Sequence, residues 1–464
     1  MKKILPLLLL LVFTTAMADE GATLSFVKPP KSFCYRVYFS DKKHNIYSTK
    51  RPESFLSEKA LERRKKFKIK VDEHDLPVTP FYLEYLNNHQ FKVRNVSKWN
   101  NTAVVELTDT ASLKTLAGLY FVDHITKVWE SPDSIAVRPK VSRFELVENR
   151  RDTLAEYYGC GQHQIDMLQA ARLHEEGYNG KGMTIAVIDG GFYNADCIDG
   201  LKDCNILGTH NFVKPGQSVY EETQQHGTMV LSCIAANLPY SMVGTAPNAS
   251  FYLLQSEDND SESLMEEDNW CAAVEYADSI GADIVTSSLG YYKFDDKTTS
   301  HKYHEQNGTT AVNSYCASLA ASRGLLILNS AGNEGDGTWK KIGFPGDAKD
   351  ILTVGAVNKD SVNTLFSSIG NTADGRIKPD VMAQGESSAL LNCNGNVTTA
   401  NGTSFSTPIL CGAVACLWQA FPKAKPTEII EAVQKAGNNT AHPNNIFGYG
   451  IPDMWKAYEF LKNK

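Results

Sequence analysis

From about residue 162 onward, short apolar runs alternate with longer, mixed ones. Residues 183–188, 250–254, 284–288, 325–330 and 351–357 are apolar and short, as buried strands are. Between and after them, 229–236, 269–280, 317–323 and 409–418 read as helices, the last an apolar run that reads as buried. Strands that alternate with helices predict an α/β fold: a doubly wound, mostly parallel sheet with helices on both faces. The first part of the chain reads differently. A strand at 33–40, a helix at 80–88, strands at 91–96 and 102–107, a helix at 110–117 and a strand at 124–129 follow one another. That order is β-α-β-β-α-β, a small α+β, ferredoxin-like unit. Between the two, residues 131–160 are polar and charged, with Pro132, Pro139 and the dibasic Arg150-Arg151. They read as a linker or processing region. The predicted organisation is therefore 1–18, 19–130, 131–160 and 161–464.

Residues 1–18 are set apart by Lys2-Lys3, an apolar run at 4–13 and Ala16-Met17-Ala18. This is the pattern of a secretory signal peptide, and the run is too short to span a bilayer. A secreted or periplasmic protein is expected, with no membrane anchor. Cysteines could then pair. Cys197 and Cys204 flank a short loop and are the best-placed pair. Cys233, Cys411 and Cys416 lie in apolar helical runs, where buried thiols are an equal reading. No C-x-x-C spacing points to zinc or redox chemistry.

Composition adds one point. The 464 residues carry a net charge of −7, with 42% hydrophobic and 21% charged residues, ordinary for a soluble protein. By our count the first 150 residues carry +8 and the remainder −15. Opposite halves suit mutual docking, although each could simply have a solvated surface of its own sign. The basic stretch at 59–70, with Arg63-Arg64-Lys65-Lys66, is one short cluster behind a signal peptide, so nucleic-acid binding is not expected.

Candidate chemistry sits at element ends, where an open α/β sheet places its site. Asp189-Gly190-Gly191 follows the 183–188 strand, and His226-Gly227-Thr228 opens the 229–236 helix. Ala331-Gly332-Asn333-Glu334-Gly335 follows the fourth strand, and Gly402-Thr403-Ser404 opens the last helix. Ser404 falls in that helix's first turn, among unpaired donors at the positive end of the dipole. Pro408 reads as a first-turn proline. A capped core helix explains this last stretch without any chemistry. A serine hydroxyl becomes a nucleophile only when a neutral imidazole takes its proton and a carboxylate orients that imidazole. The oxyanion then needs positioned donors. The joint occurrence of Asp, His, Asn and Ser is what makes the pattern specific.

These motifs, together with Gly244-Thr245-Ala246-Pro247, Ser288-Leu289-Gly290, Val354-Gly355-Ala356-Val357 and Lys378-Pro379-Asp380-Val381, resemble those of the subtilisin-like serine proteases over about residues 162–460. The resemblance implies Asp189 as orienting acid, His226 as general base, Ser404 as nucleophile and Asn333 as oxyanion donor. It implies that Ser288, Leu289 and Gly290 pair with an extended polypeptide substrate. It also implies that the first unit is a propeptide that inhibits its own enzyme until cleaved. No catalytic cofactor is implied. A structural calcium ion is plausible for the family, but no ligand spacing is visible in the sequence. Three departures bear on pocket shape: Gly190 replaces Thr or Ser, Phe405-Ser406 replaces Met-Ala, and Gln384 replaces Pro. A silent peptide binder and a transpeptidase or ligase are the competing readings. The acidic run from Glu257 to Asp268 could favour Lys or Arg near the scissile bond, or could be a solvated or calcium-binding loop.

Overall fold

A computed structural model describes residues 25–137, 154–221 and 224–464. The signal sequence and Arg150-Arg151 lie outside the described residues. Seven strands form one parallel sheet in the order Val381–Gln384, Leu352–Val357, Leu326–Ser330, Ile284–Ser287, Thr184–Asp189, Ser250–Gln255, Asn205–Asn211. The Thr184–Asp189 strand shows why these runs are apolar throughout. Ile185 and Val187 enter the core beneath the helices His226–Ala235 and Thr403–Ala420. Ala186 and Ile188 enter a second core beneath Leu264–Ile280 and Val312–Ser322. A parallel strand covered on both faces has no polar side to show. The doubly wound expectation therefore holds.

Two sheet strands fall outside the predicted apolar runs. Asn205–Asn211 is an edge strand with mostly exposed or half-buried residues, and Val381–Gln384 has four residues. The Leu264–Ile280 helix also starts before the predicted 269. Ser263 and Glu266 form a capping box, in which Ser263 N–H donates to Glu266 Oε2 at 3.0 Å. Part of the acidic run is thus a helix start and not a loop. No disulfide joins any two of the ten cysteines. Cys197 Sγ faces the Asn194 carbonyl and Cys204 Sγ faces the Ala235 carbonyl, so the expected pair does not form.

The N-terminal unit is a four-stranded antiparallel sheet ordered Lys92–Ser97, Thr102–Leu107, Phe33–Phe39, Val122–Glu130, with helices Pro80–Asn88 and Leu113–Ala117. The basic stretch, read only as a charged run, folds into a further helix, Glu58–Phe67. The unit lies on the Leu264–Ile280 helix. There Arg36 forks onto Asp268 at 2.6 and 2.9 Å. Ser97 Oγ and the N–H groups of Lys98 and Trp99 all donate to Glu275. The opposite charges of the two halves therefore meet as specific, buried partners. Among the described residues no helix is long and apolar enough to cross a membrane.

Candidate active site

The C-terminal ends of the central strands open onto a cavity of about 310 Å³, lined by Asp189, His226, Ser288, Asn333 and Ser404 among others. Residues far apart in sequence thus meet where the expected rule for open sheets puts them.

Asp189 closes its strand with 0% exposure. Its Oδ1 accepts from Gly190 N–H at 2.8 Å and lies 2.8 Å from His226 Nδ1. A carboxylate can only accept, so Nδ1 carries the proton and Nε2 of the neutral ring is a free base. His226 is the first residue of its helix and its side chain is 28% exposed. Burial disfavours the imidazolium. The charge of Asp189 and its hydrogen bond outweigh that cost and hold the His226 pKa above the ordinary value. Phe405, one of the unusual residues after Ser404, packs against this ring with centroids 5.9 Å apart.

Ser404 is the second residue of the Thr403–Ala420 helix and is 8% exposed. Gly402 makes the entry possible: at φ 151 it occupies backbone that side chains disfavour. Ser404 Oγ donates to the Ser288 carbonyl at 3.3 Å, and Ser288 Oγ donates back to the Ser404 carbonyl at 2.8 Å. The second bond corrects the reading of Pro408, which lies inside the helix and not in its first turn. A residue with an N–H at 408 would donate to the Ser404 carbonyl, and proline cannot. The Ser288 hydroxyl fills that place and ties the helix to the strand end.

Asn333 is oriented by its neighbour in space. Its Oδ1 accepts from Thr403 N–H at 2.9 Å and from Thr403 Oγ1 at 3.0 Å. The Thr403 hydroxyl in turn accepts from Gly332 N–H at 3.2 Å. With Oδ1 engaged twice, the amide nitrogen is the end left to donate. Thr403 stands in the Gly-Thr-Ser motif, but nothing in sequence alone assigned it this positioning part. The Ser288–Gly290 backbone is held on its far side. The Leu289 carbonyl accepts from Asn329 Nδ2 and Ser330 Oγ, and Tyr291 exchanges backbone bonds with Phe344.

The acidic run divides by partner. Asp258 accepts from Ser261 and from Asp260 N–H, Glu267 meets His301 Nε2 at 2.7 Å, and Asp268 meets Arg36. Both oxygens of Glu266 accept backbone N–H groups, from Asp258 and Ser263. Glu257 and Glu262 are the members of the run that line the cavity. Glu257 accepts from the Tyr291 hydroxyl. Burial, and after it the charge of Glu262, push its pKa up to about 8. The carboxylates of Glu257, Glu262 and Glu266 lie within 4.8 Å of one another. Calcium asks for six to eight oxygens, and Glu266 is already committed to capping, so this set does not fit a calcium cage.

Residues 180–450 match the profile of the subtilase family, and residues 34–142 match that of the peptidase S8 propeptide domain of Bacteroidota. Subtilisin NAT of Bacillus subtilis subsp. natto is 29% identical over 298 residues, 64% of this chain and 70% of that one. The subtilisin of Bacillus pumilus is 30% identical over 289 residues, 62% of this chain and 94% of that one. Among solved structures, the epidermin leader peptide processing serine protease from Staphylococcus aureus superposes with a TM-score of 0.62 at 17% identity, covering 93% of this chain and 99% of that one. MycP1 without its N-terminal propeptide superposes with a TM-score of 0.51 at 22% identity, covering 64% and 96%. These two likenesses show the shared fold. The family match spans more than half of the chain with the propeptide match ahead of it, and the protein belongs to the subtilase family of serine endopeptidases, carrying its own propeptide domain.

Proposed function

We propose that this is a secreted endopeptidase, made as a zymogen, that cleaves itself and then other polypeptides through Asp189, His226 and Ser404. In this reading residues 1–18 are the signal peptide, 19–130 the propeptide, 131–160 the processing region and 161–464 the catalytic domain. The observation that carries it is the 2.8 Å Asp189–His226 contact in the cavity that also holds Ser404 at a helix start.

Ser404 Oγ turns from the Ser288 carbonyl to His226 Nε2, gives up its proton and attacks the scissile carbonyl carbon. Asp189 stays ionised, keeps the proton on Nδ1 and stabilises the imidazolium. The oxyanion accepts from Ser404 N–H, a first-turn donor that a helix cannot pair internally, and from Asn333 Nδ2. His226 then protonates the departing amine. Water, activated by the same nitrogen, releases the acyl group. The Ser288–Gly290 backbone pairs with the substrate as an added strand.

Labelling by a serine-directed phosphonate tests the reading. No label on processed enzyme, or equal label on Ser404→Ala, sinks it. Peptide binding without cleavage would favour the silent binder, and products bearing an added amine would favour a ligase. Asn333→Ala is expected to lower kcat by about 10²–10³, the range known for this donor in the family, at nearly constant KM. A comparable rise in KM alone would mean that Asn333 only binds substrate.

Glu257 and Glu262 support a preference for a basic side chain near the scissile bond, whose positive charge would draw into the ionised form the carboxyls that burial holds back; Asp258 and Asp260 do not line the cavity. Glu262→Gln is expected to reduce the preference for Lys or Arg over Gln about 10-fold in a peptide library. An unchanged profile would remove the carboxylate from any part in specificity.

A further inference from the structure

The basic helix Glu58–Phe67 takes no part in the cleft. It is built to dock. The Ser57 hydroxyl caps its start by accepting from Ala60 N–H, and Lys68 closes it in the left-handed conformation. Lys65 and Lys66 are exposed, whereas Arg63 and Arg64 are 5% and 2% exposed. Guanidinium groups that deep require carboxylate or carbonyl partners. Arg63 finds carbonyls: Asp278 O at 3.0 Å, Arg323 O at 3.3 Å, and Ala282 O. These lie at or just past the C-terminal ends of the Leu264–Ile280 and Val312–Ser322 helices. A helix leaves its last carbonyls unpaired there, at the negative end of its dipole. One propeptide side chain thus caps two helices of the catalytic domain.

The Asp278 carboxylate collects the charges. Arg63 reaches it at 2.6 Å, Arg64 at 2.8 Å and Lys98 at 3.3 Å, while Arg64 also holds Asp75 of the propeptide at 2.8 Å. Burial opposes ionisation of Asp278, but the three cations outweigh it and keep the carboxyl well below the usual range. Around this ion cluster, Ser57 N–H donates to the Ser279 carbonyl at 2.9 Å. Phe67 stacks on Trp418, near the far end of the Ser404 helix. The surface is shaped for the helix: a Cβ on Gly281 would stand 2.4 Å from Lys59 Cβ. Lys59 Nζ donates to Thr184 Oγ1 at 2.8 Å. Thr184 begins the strand that ends at Asp189, about 17 Å away at strand rise. The helix therefore grips the edge of the sheet opposite the cleft.

We propose that the Glu58–Phe67 helix is a second attachment point of the propeptide, remote from the cleft, and that it sets how long the cleaved propeptide stays on the enzyme. Hydrolysis in the 131–160 region cuts the chain but breaks none of these contacts. The inference rests on the self-processing reading above. It makes latency after cleavage a property of the rear edge of the sheet.

The test follows release of the cleaved propeptide from the processed, full-chain complex by native mass spectrometry, beside the lag before peptidase activity. Arg63→Ala with Arg64→Ala is expected to speed release by about 100-fold or more and shorten the lag, with the Lys pair intermediate. Unchanged release overturns the proposal. A second measurement needs no variant at the helix: filling the cleft of the wild-type complex with a phosphonate should leave the release rate unchanged, and accelerated release overturns the proposal. If no chain processes itself, the protease reading has failed, not this one. The arginine variants are then read in the uncut Ser404→Ala chain by hydrogen exchange. Loss of protection across Glu58–Phe67 with Phe33–Phe39 still protected supports the attachment, and unchanged protection overturns it.

Discussion

Ser404→Ala is expected to yield a folded, uncut chain that retains its propeptide and hydrolyses peptides about 10⁶-fold more slowly, the scale measured for this nucleophile in the family. Stability should hardly change. The hydroxyl makes one long bond, to the Ser288 carbonyl at 3.3 Å, and a bond of that kind is worth about 1 kcal/mol or less. The stronger tie between helix and strand end uses the Ser404 backbone carbonyl, which alanine keeps. Gel mobility of the purified protein, peptide hydrolysis and a thermal melt read the three parts separately. A variant still cut within 131–160 would assign processing to another protease. A variant that is uncut and also unfolded would show that Ser404 serves the fold.

Asp189→Asn is expected to lower kcat/KM near neutral pH by about 10⁴, the loss known for this substitution in another serine protease triad. The physical cause can be followed atom by atom. Both bonds of Asp189 run through Oδ1, so Asn can keep its oxygen there and the buried turn survives. What the amide cannot supply is the negative charge that stabilises the imidazolium, so His226 becomes a far weaker base. The pH profile should change with it. Activity needs neutral His226, so the acidic limb of kcat/KM follows its pKa. In the wild type burial lowers that pKa, and the Asp189 charge and hydrogen bond raise it more. Without the charge, burial is left, and the limb should move to lower pH. A limb that stays in place in the variant would show that another group titrates there.

Much of this site was legible because each of its residues stands at a punctuation mark. Asp189 precedes two glycines, His226 opens a helix, Asn333 sits between glycines after a strand, and Ser404 follows Gly402. A parallel strand buried on both faces writes an uninterrupted apolar run, so five of the seven sheet strands and the division into two units were visible as well. The edge strand Asn205–Asn211 was not, because a half-covered strand keeps polar residues on its open side.

What remained hidden depends on partners distant in the chain. A run of seven acidic residues reads as one loop. Tertiary contacts divide it among a turn, a helix cap, His301, the propeptide's Arg36 and the cleft. Pro408 looked like a first-turn proline until the Ser288 hydroxyl, 120 positions earlier, was seen to replace the hydrogen bond it removes. Thr403 became the residue that aims Asn333 only once the two strand ends were side by side. Four basic residues in a row announced charge and nothing more, yet Arg63 caps two helices, and Arg64 pairs with Asp278, more than 200 positions away. By itself the sequence determined the periodicities, the turns and the candidates for the reacting groups, since these follow from each residue's neighbours in the chain. Only the tertiary structure decided which charge meets which, which donor is left over and which proton is held where, because burial and hydrogen bonding act between neighbours in space.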